Sequence, residues 1–168
     1  MSEELLSKFR ELLRKPLKKV FVCVGNELRG DDKVGIYIGR RLKRTSLKDN
    51  IILAYNTPEN HIHEILERDA DIVVFFDAVH VGAPAGTIIF QEISPEKPSK
   101  VSISTHSIPV ETIASIIQSL SNKRVSFYII GVEAKKLDFG NRMSEEVVCA
   151  AKTLTEMLKE TVEESSKQ

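Results

Sequence analysis

Short apolar runs alternate with amphipathic segments along this 168-residue chain. Five runs are rich in β-branched and aromatic residues, a composition typical of buried strands. Between them, apolar residues recur at three- and four-residue spacing, which predicts helices. The predicted strands cover residues 20–24, 50–56, 71–79, 87–93 and 124–132, and the predicted helices cover residues 35–44, 57–69, 109–120 and 144–164.

Strands that alternate with helices indicate an α/β fold. We therefore predict a three-layer sandwich in which helices flank a mostly parallel, five-stranded sheet. An amphipathic segment with apolar residues from Leu5 to Leu13 ends before Pro16, so residues 1–16 are predicted to form a helical extension. No internal repeat or linker interrupts the pattern, and we predict one domain over residues 1–168.

Composition and charge narrow the classes of function. Hydrophobic residues make up 42% of the chain and charged residues 29%, as in ordinary globular proteins. The 24 basic and 24 acidic residues balance, so nothing indicates binding to nucleic acid or to an anionic membrane. The chain has neither a membrane-spanning apolar run nor a signal-peptide core, which predicts a cytoplasmic protein. Cys23 and Cys149 lack metal-binding spacing, and we interpret both as buried apolar side chains.

A glycine-flanked loop with two adjacent carboxylates follows the first predicted strand. Its sequence, GNELRGDDKVG, contains the two glycines of a phosphate-binding P-loop, with four residues between them. A P-loop continues with Lys and then Ser or Thr, whereas Asp31 and Asp32 stand here. Carboxylates repel a phosphate and attract a cation, so the loop favours a cation site.

Two further polar residues stand at or beyond the ends of predicted strands. Asp77 follows the apolar run IVVFF, and His106 lies between strand four and the next helix. Ligands of open α/β sheets gather beyond the carboxyl ends of the strands, so we expect these side chains to meet the acidic pair at one edge. Each residue alone could be a cap or a loop residue, but two carboxylates and an imidazole together suit nickel or zinc. The pattern does not choose between Asp31 and Asp32, and His80 follows Asp77 closely enough to line the same cleft.

A phosphoacceptor receiver domain is the main alternative. Such a domain also has an acidic pair after strand one and an Asp after strand three. It adds Ser or Thr after strand four, matched by Ser104 or Thr105, and Lys after strand five, matched loosely by Lys135 or Lys136. Against it, the acidic pair here follows a loop rather than the strand itself, and His106 would have no role.

The motifs resemble those of the hydrogenase maturation endopeptidases, which trim the C-terminal extension from the large subunit of nickel–iron hydrogenases. VGNELRGDDKVG is similar to the family's G-N-x-L-x-x-D-D/E-x-x-G signature, FFDAV to its second motif and STHSIPV to its third, T-H-x-x-P. TPEN and IIGVEAKKLDFGNRMSEEV resemble the family's PEN loop and its GVQP-containing ending. The motifs run in the same order from about Val20 to Val147. The PEN and THSIP details are closest to the branch that serves hydrogen-evolving and archaeal hydrogenases.

The resemblance implies a phosphorylase/hydrolase-like fold, endopeptidase activity and a set of site residues. Asp32, Asp77 and His106 match the family's nickel ligands and are expected to be both metal-binding and catalytic, while Asp31 would shape the loop. Family members often have Gly after the acidic pair, where this chain has Lys33. If that position requires a positive φ, the lysine costs about 1 kcal/mol.

The resemblance also implies how the reaction is organised. The partner is a hydrogenase large-subunit precursor, and the nickel already inserted in it is what the protease recognises, with zinc or cadmium as surrogates. We favour metal assistance over an aspartic-type mechanism, in which Asp32 or Asp77 would act as general base. We expect an activator of its partner enzyme that acts as a monomer, without nucleic acid or membrane insertion. A non-proteolytic metal-binding domain is a further alternative.

Overall fold

The structure is a computed structural model that describes residues 2–97, 108–140 and 142–167. Its helices and strands agree with the predicted boundaries to within two residues, except in the second predicted helix. That segment begins as a 3₁₀ turn, Pro58–His61, before the α-helix proper. The strands are β1 (Lys19–Val24), β2 (Ile51–Tyr55), β3 (Ile72–Val79), β4 (Ile88–Ile93) and β5 (Ser126–Glu133), and the helices are α1 (Glu3–Arg14), α2 (Val34–Leu42), α3 (Ile62–Glu67), α4 (Val110–Leu120) and α5 (Glu145–Ser165).

The five strands form one sheet in the order β2-β1-β3-β5-β4, with helices on both faces. On one face, α1, α2 and α5 pack over a core that includes Phe9, Phe21 and Phe76. On the other face, α3 and α4 pack over a second core that includes Phe75 and Ile113. This arrangement confirms the predicted three-layer α/β sandwich. The N-terminal helix α1 is part of the first layer, because its apolar stripe is buried there.

β3 lies at the centre of the sheet and is buried along its whole length. It pairs in parallel with β1 on one side and with β5 on the other. Both faces of such a strand contact helices, which explains the unbroken apolar run from Ile72 to Phe76. The one acidic residue in the strand is Asp77.

β4 is antiparallel to its neighbour β5, with Ile88 opposite Val132 and Ile93 opposite Phe127. Its carboxyl end therefore lies at the edge where the parallel strands begin. The expectation that strand four ends at the same edge as strands one and three is wrong, because the rule for parallel strands does not apply to it. The topology also contradicts the receiver alternative, since receiver domains have the doubly wound order 2-1-3-4-5.

The two cysteines have different environments. Cys23 is buried in β1, as expected, and burial raises the pKa of its thiol. Cys149 is exposed, so the interpretation of this residue was wrong. Helix α5 buries Val147, Ala150 and Ala151, and Cys149 lies on its outer face. Among the described residues, no helix is long and apolar enough to cross a membrane.

Candidate functional site

A 3₁₀ turn, Gly30–Lys33, carries both aspartates and is called the acidic turn below. The loop before it is closed by Asn26, whose side-chain oxygen accepts a hydrogen bond from the N–H of Leu28 at 3.0 Å. Gly30 has a φ of +37°, and a Cβ there would lie 2.5 Å from the carbonyl oxygen of Lys136. The second glycine of the motif is therefore required by a left-handed backbone and by close packing against another loop.

The acidic turn lies over the carboxyl ends of the central strands. A Cβ at Gly35 would overlap the carbonyl oxygens of Val24 and Phe76, so the first turn of α2 contacts β1 and β3 directly. Residues of the acidic turn approach β3 to within 8 Å, measured between Cα atoms. Asp77 follows Phe76 in the chain. Asp32 and Asp77 therefore both lie at the carboxyl edge of β1 and β3.

Asp31 joins the acidic turn to the segment between β5 and α5. Its Oδ2 accepts hydrogen bonds from the backbone N–H groups of Lys135 and Lys136, both at 2.8 Å. Ser144, the N-cap residue of α5, donates its N–H to Oδ1 at 2.6 Å and its hydroxyl to Oδ2 at 2.9 Å. The carboxylate is fully buried and is occupied by these four hydrogen bonds. We therefore assign Asp31 a loop-shaping role.

Asp32 and Asp77 are also buried at this edge, with 2% and 0% of the residue exposed. Asp77 does not end its strand, because β3 continues to Val79. Its Oδ1 accepts a hydrogen bond from the N–H of Ala78 at 2.8 Å. By strand alternation, the Asp77 side chain points toward the layer of α3 and α4. Two carboxylates buried near each other can ligate a divalent cation, or one of them can accept a proton.

His106, the third expected ligand, lies outside the described residues. Within residues 2–97, 108–140 and 142–167, no group of three or more His, Cys, Asp and Glu side chains could hold a metal ion. The structure places Asp32 and Asp77 at the same edge of the sheet, and the assignment of Asp32, Asp77 and His106 as ligands stays a prediction from the sequence.

Lys33 causes no backbone strain at the end of the acidic turn. Its φ is −77° and its ψ is −4°, an ordinary right-handed conformation. The cost considered for a lysine at this position therefore does not arise. The positive φ of this segment is at Gly30.

Glu133 is a buried acid at the carboxyl end of β5 that sequence reasoning missed. Its carboxylate accepts hydrogen bonds from the N–H groups of Val81 at 2.9 Å and Gly82 at 3.2 Å. His80 places Nδ1 3.4 Å from the same carboxylate, while its side chain is 71% exposed. Glu133 thereby holds the loop that follows β3. The sequence signal was available, because glutamate here stands where the family's GVQP pattern has glutamine.

Glu133→Ala is expected to lower the free energy of unfolding by about 2–3 kcal/mol, because the N–H groups of Val81 and Gly82 lose their acceptor. Glu133→Gln keeps one oxygen and is expected to cost about 1 kcal/mol. Urea denaturation measures both, with Glu92→Ala on the exposed part of β4 as the control. An alanine variant as stable as the wild type would show that Glu133 does not hold this loop.

Glu111, in the first turn of α4, is a second acid that sequence reasoning did not single out. Its side chain is only 7% exposed, and its Oε2 has no hydrogen-bond partner within the part of the chain that the structure describes. A carboxylate at this position interacts favourably with the amino end of the helix.

An ion pair at the surface fixes the segment between β5 and α5 from outside. Lys135 Nζ lies 2.7 Å from Glu146 Oε1. The hydrogen bond from the ammonium lowers the pKa of the Glu146 carboxyl and raises the pKa of Lys135. The ammonium of Lys135 thus pairs with α5, while its backbone N–H binds Asp31.

Comparisons with known proteins agree on one family. A family model described as hydrogenase maturation protease matches residues 36–161. Protein MJ0631 of Methanocaldococcus jannaschii, whose name assigns it provisionally to these proteases, is 29% identical over 98% of this chain and 97% of its own length. The crystal structure of a NiFe hydrogenase maturation protease HycI from Thermococcus kodakarensis has a TM-score of 0.80 and 26% identity, covering 93% of this chain and 99% of that one. The solution structure of the endopeptidase HycI from Escherichia coli has a TM-score of 0.69 and 25% identity, covering 85% and 90%.

Proposed function

The chain belongs to the hydrogenase maturation protease family, and from this we propose that it removes the C-terminal extension of a nickel–iron hydrogenase large-subunit precursor after nickel insertion. The proposal makes the protein an endopeptidase that activates its partner enzyme. Nickel enters as part of the substrate, because the precursor delivers it.

One observation carries the proposal: two buried carboxylates, Asp32 and Asp77, lie at the carboxyl edge of β1 and β3. Carboxylate oxygens are ligands for a divalent ion, and a substrate that carries such an ion can present it at this edge. Asp31 is not available to bind the ion, because its two carboxylate oxygens already accept four hydrogen bonds.

His106 is proposed as the third ligand on the strength of its motif and of the direction of α4. Lys123, just after α4, donates to a carboxylate oxygen of Asp71, which precedes β3, so α4 ends at the amino edge of the sheet. A straight helix of this length spans about 16 Å, so α4 begins toward the carboxyl edge. It also belongs to the layer toward which Asp77 points. Carboxylate and imidazole ligands are compatible with nickel, zinc or cadmium.

In the proposed reaction, the residues of this chain orient the scissile bond and transfer one proton. Ligation of the substrate's nickel by Asp32, Asp77 and His106 would fix the start of the extension against the site. Hydrolysis adds water to the scissile carbonyl, breaks the C–N bond and transfers a proton to the leaving amine. The oxygen of Asp32 or Asp77 that does not bind the ion would accept the proton of the water and pass a proton to the leaving amine.

The test of this function is incubation of the wild-type protein with a nickel-loaded large-subunit precursor. Mass measurement is expected to show loss of the C-terminal extension as one peptide. A precursor of unchanged mass under conditions in which the protein is folded would contradict the proposed activity.

A further inference from the structure

Two large apolar side chains at the site edge are exposed to solvent. Leu28 is 68% exposed and Phe139 is 71% exposed, the highest values among large apolar residues in the described ranges. Leu28 lies in the loop after β1, four positions before Asp32. Phe139 lies in the segment after β5. We call these two residues the apolar rim.

The apolar rim has a fixed backbone. The N–H of Gly140 donates to the carbonyl oxygen of Leu28 at 2.9 Å, and Arg29 forms an isolated antiparallel bridge with Phe139. Arg29 Nε also donates to the carbonyl oxygen of Leu137 at 3.0 Å. Its guanidinium lies over the Phe139 ring, 5.4 Å from the ring centroid. These contacts fix the backbone of both residues, while their side chains stay largely exposed.

The rim is joined directly to the acidic turn. The Asp31 N–H donates to the carbonyl oxygen of Lys136 at 2.8 Å, and the Asp31 carboxylate binds the same segment. Leu28 and Phe139 therefore lie beside the turn that carries Asp32. Exposed apolar side chains held on adjoining segments next to a functional site are typical of a binding surface.

The charges around the rim are predominantly basic. Glu27 is paired with Arg40 and Lys135 with Glu146. Apart from these residues and the buried aspartates of the acidic turn, the two segments carry Arg29, Lys136 and Arg142 against Asp138. This surface complements a segment with apolar side chains and carboxylates.

We propose that the apolar rim binds the substrate polypeptide beside its cleavage site, through an apolar segment that also carries acidic groups. This inference rests on the proposed function and adds the surface that selects the substrate. The rim residues are specificity determinants and have no part in the chemical step.

The experiment measures kcat and KM for the nickel-loaded precursor with Leu28→Ala, Phe139→Ala and Lys136→Gln. Each apolar truncation is expected to raise KM about tenfold with kcat unchanged, a loss of about 1.4 kcal/mol of binding. Lys136→Gln keeps the backbone bonds to Asp31 and is expected to raise KM in a salt-dependent way. Leu120→Ala is the matched control, because Leu120 is 60% exposed at the end of α4, near the opposite edge of the sheet.

The inference would be overturned if the rim variants had the KM of the wild type, or if Leu120→Ala raised KM as much as they do. Either result would leave the proposed function in place. Failure of the wild-type protein to cleave the precursor would count against the proposed function, and against this inference with it. Because the rim side chains are exposed, the variants are expected to have the same urea midpoint of unfolding as the wild type.

Discussion

Asp77→Asn and Asp32→Asn are each expected to abolish processing of the precursor and to leave the fold intact. Asparagine has the size of aspartate, and at position 77 it keeps an oxygen that can accept the N–H of Ala78. What it removes is the negative charge needed to ligate a cation or accept a proton. We expect kcat/KM to fall at least about a thousandfold, the scale of losing a group that acts in the transition state.

The measurement is a processing assay by mass, with circular dichroism as the check on the fold. His106→Ala is expected to lose activity in the same way, as the third proposed ligand. The matched control is Asp49→Asn, which neutralises an exposed acid just before β2, at the amino edge of the sheet. Processing at more than a tenth of the wild-type rate in either the Asp32 or the Asp77 variant would refute the site assignment.

Asp31→Ala is expected to have a different effect, a large loss of stability. It leaves the N–H groups of Lys135, Lys136 and Ser144 without their charged acceptor. Hydrogen bonds to charged groups contribute about 1.5–3 kcal/mol each, but they are not additive because the loop can relax and admit water. We therefore expect the free energy of unfolding to fall by about 3–4 kcal/mol.

Urea denaturation of Asp31→Ala, Asp32→Asn and the wild type separates the two neighbouring acids. At a temperature where Asp31→Ala is still folded, its processing is expected to exceed that of Asp32→Asn. The roles assigned here would be reversed if Asp31→Ala were within 1 kcal/mol of the wild type and Asp32→Asn were the destabilised variant.

The sequence predicts the helices and strands well because the apolar periodicity is strong throughout. It could not predict the direction of β4, since a short apolar run has the same composition whichever way the strand runs. That direction depends on the tight GAPAG connection from β3 and on the pairing of β4 with β5. For this reason, the expectation that strand four ends at the same edge as strands one and three was wrong.

The residue pattern could not decide between Asp31 and Asp32 either. Two adjacent acids have the same composition and nearly the same position, and the resemblance to the family alone favoured Asp32. The structure separates them through contacts from residues more than 100 positions away, in the segment between β5 and α5. The buried role of Glu133 depends in the same way on a distant loop, which the pattern of its own strand does not encode.

We propose that Asp32 and Asp77 serve a site that is completed by nickel delivered in the substrate. The most direct measurement treats two large-subunit precursors, one loaded with nickel and one nickel-free, with the wild-type protein at neutral pH and follows the product masses. We predict cleavage of the loaded precursor only, because the ion supplies the charge that Asp32 and Asp77 face. Equal cleavage of both precursors would contradict the account and would make the two carboxylates an ordinary catalytic pair.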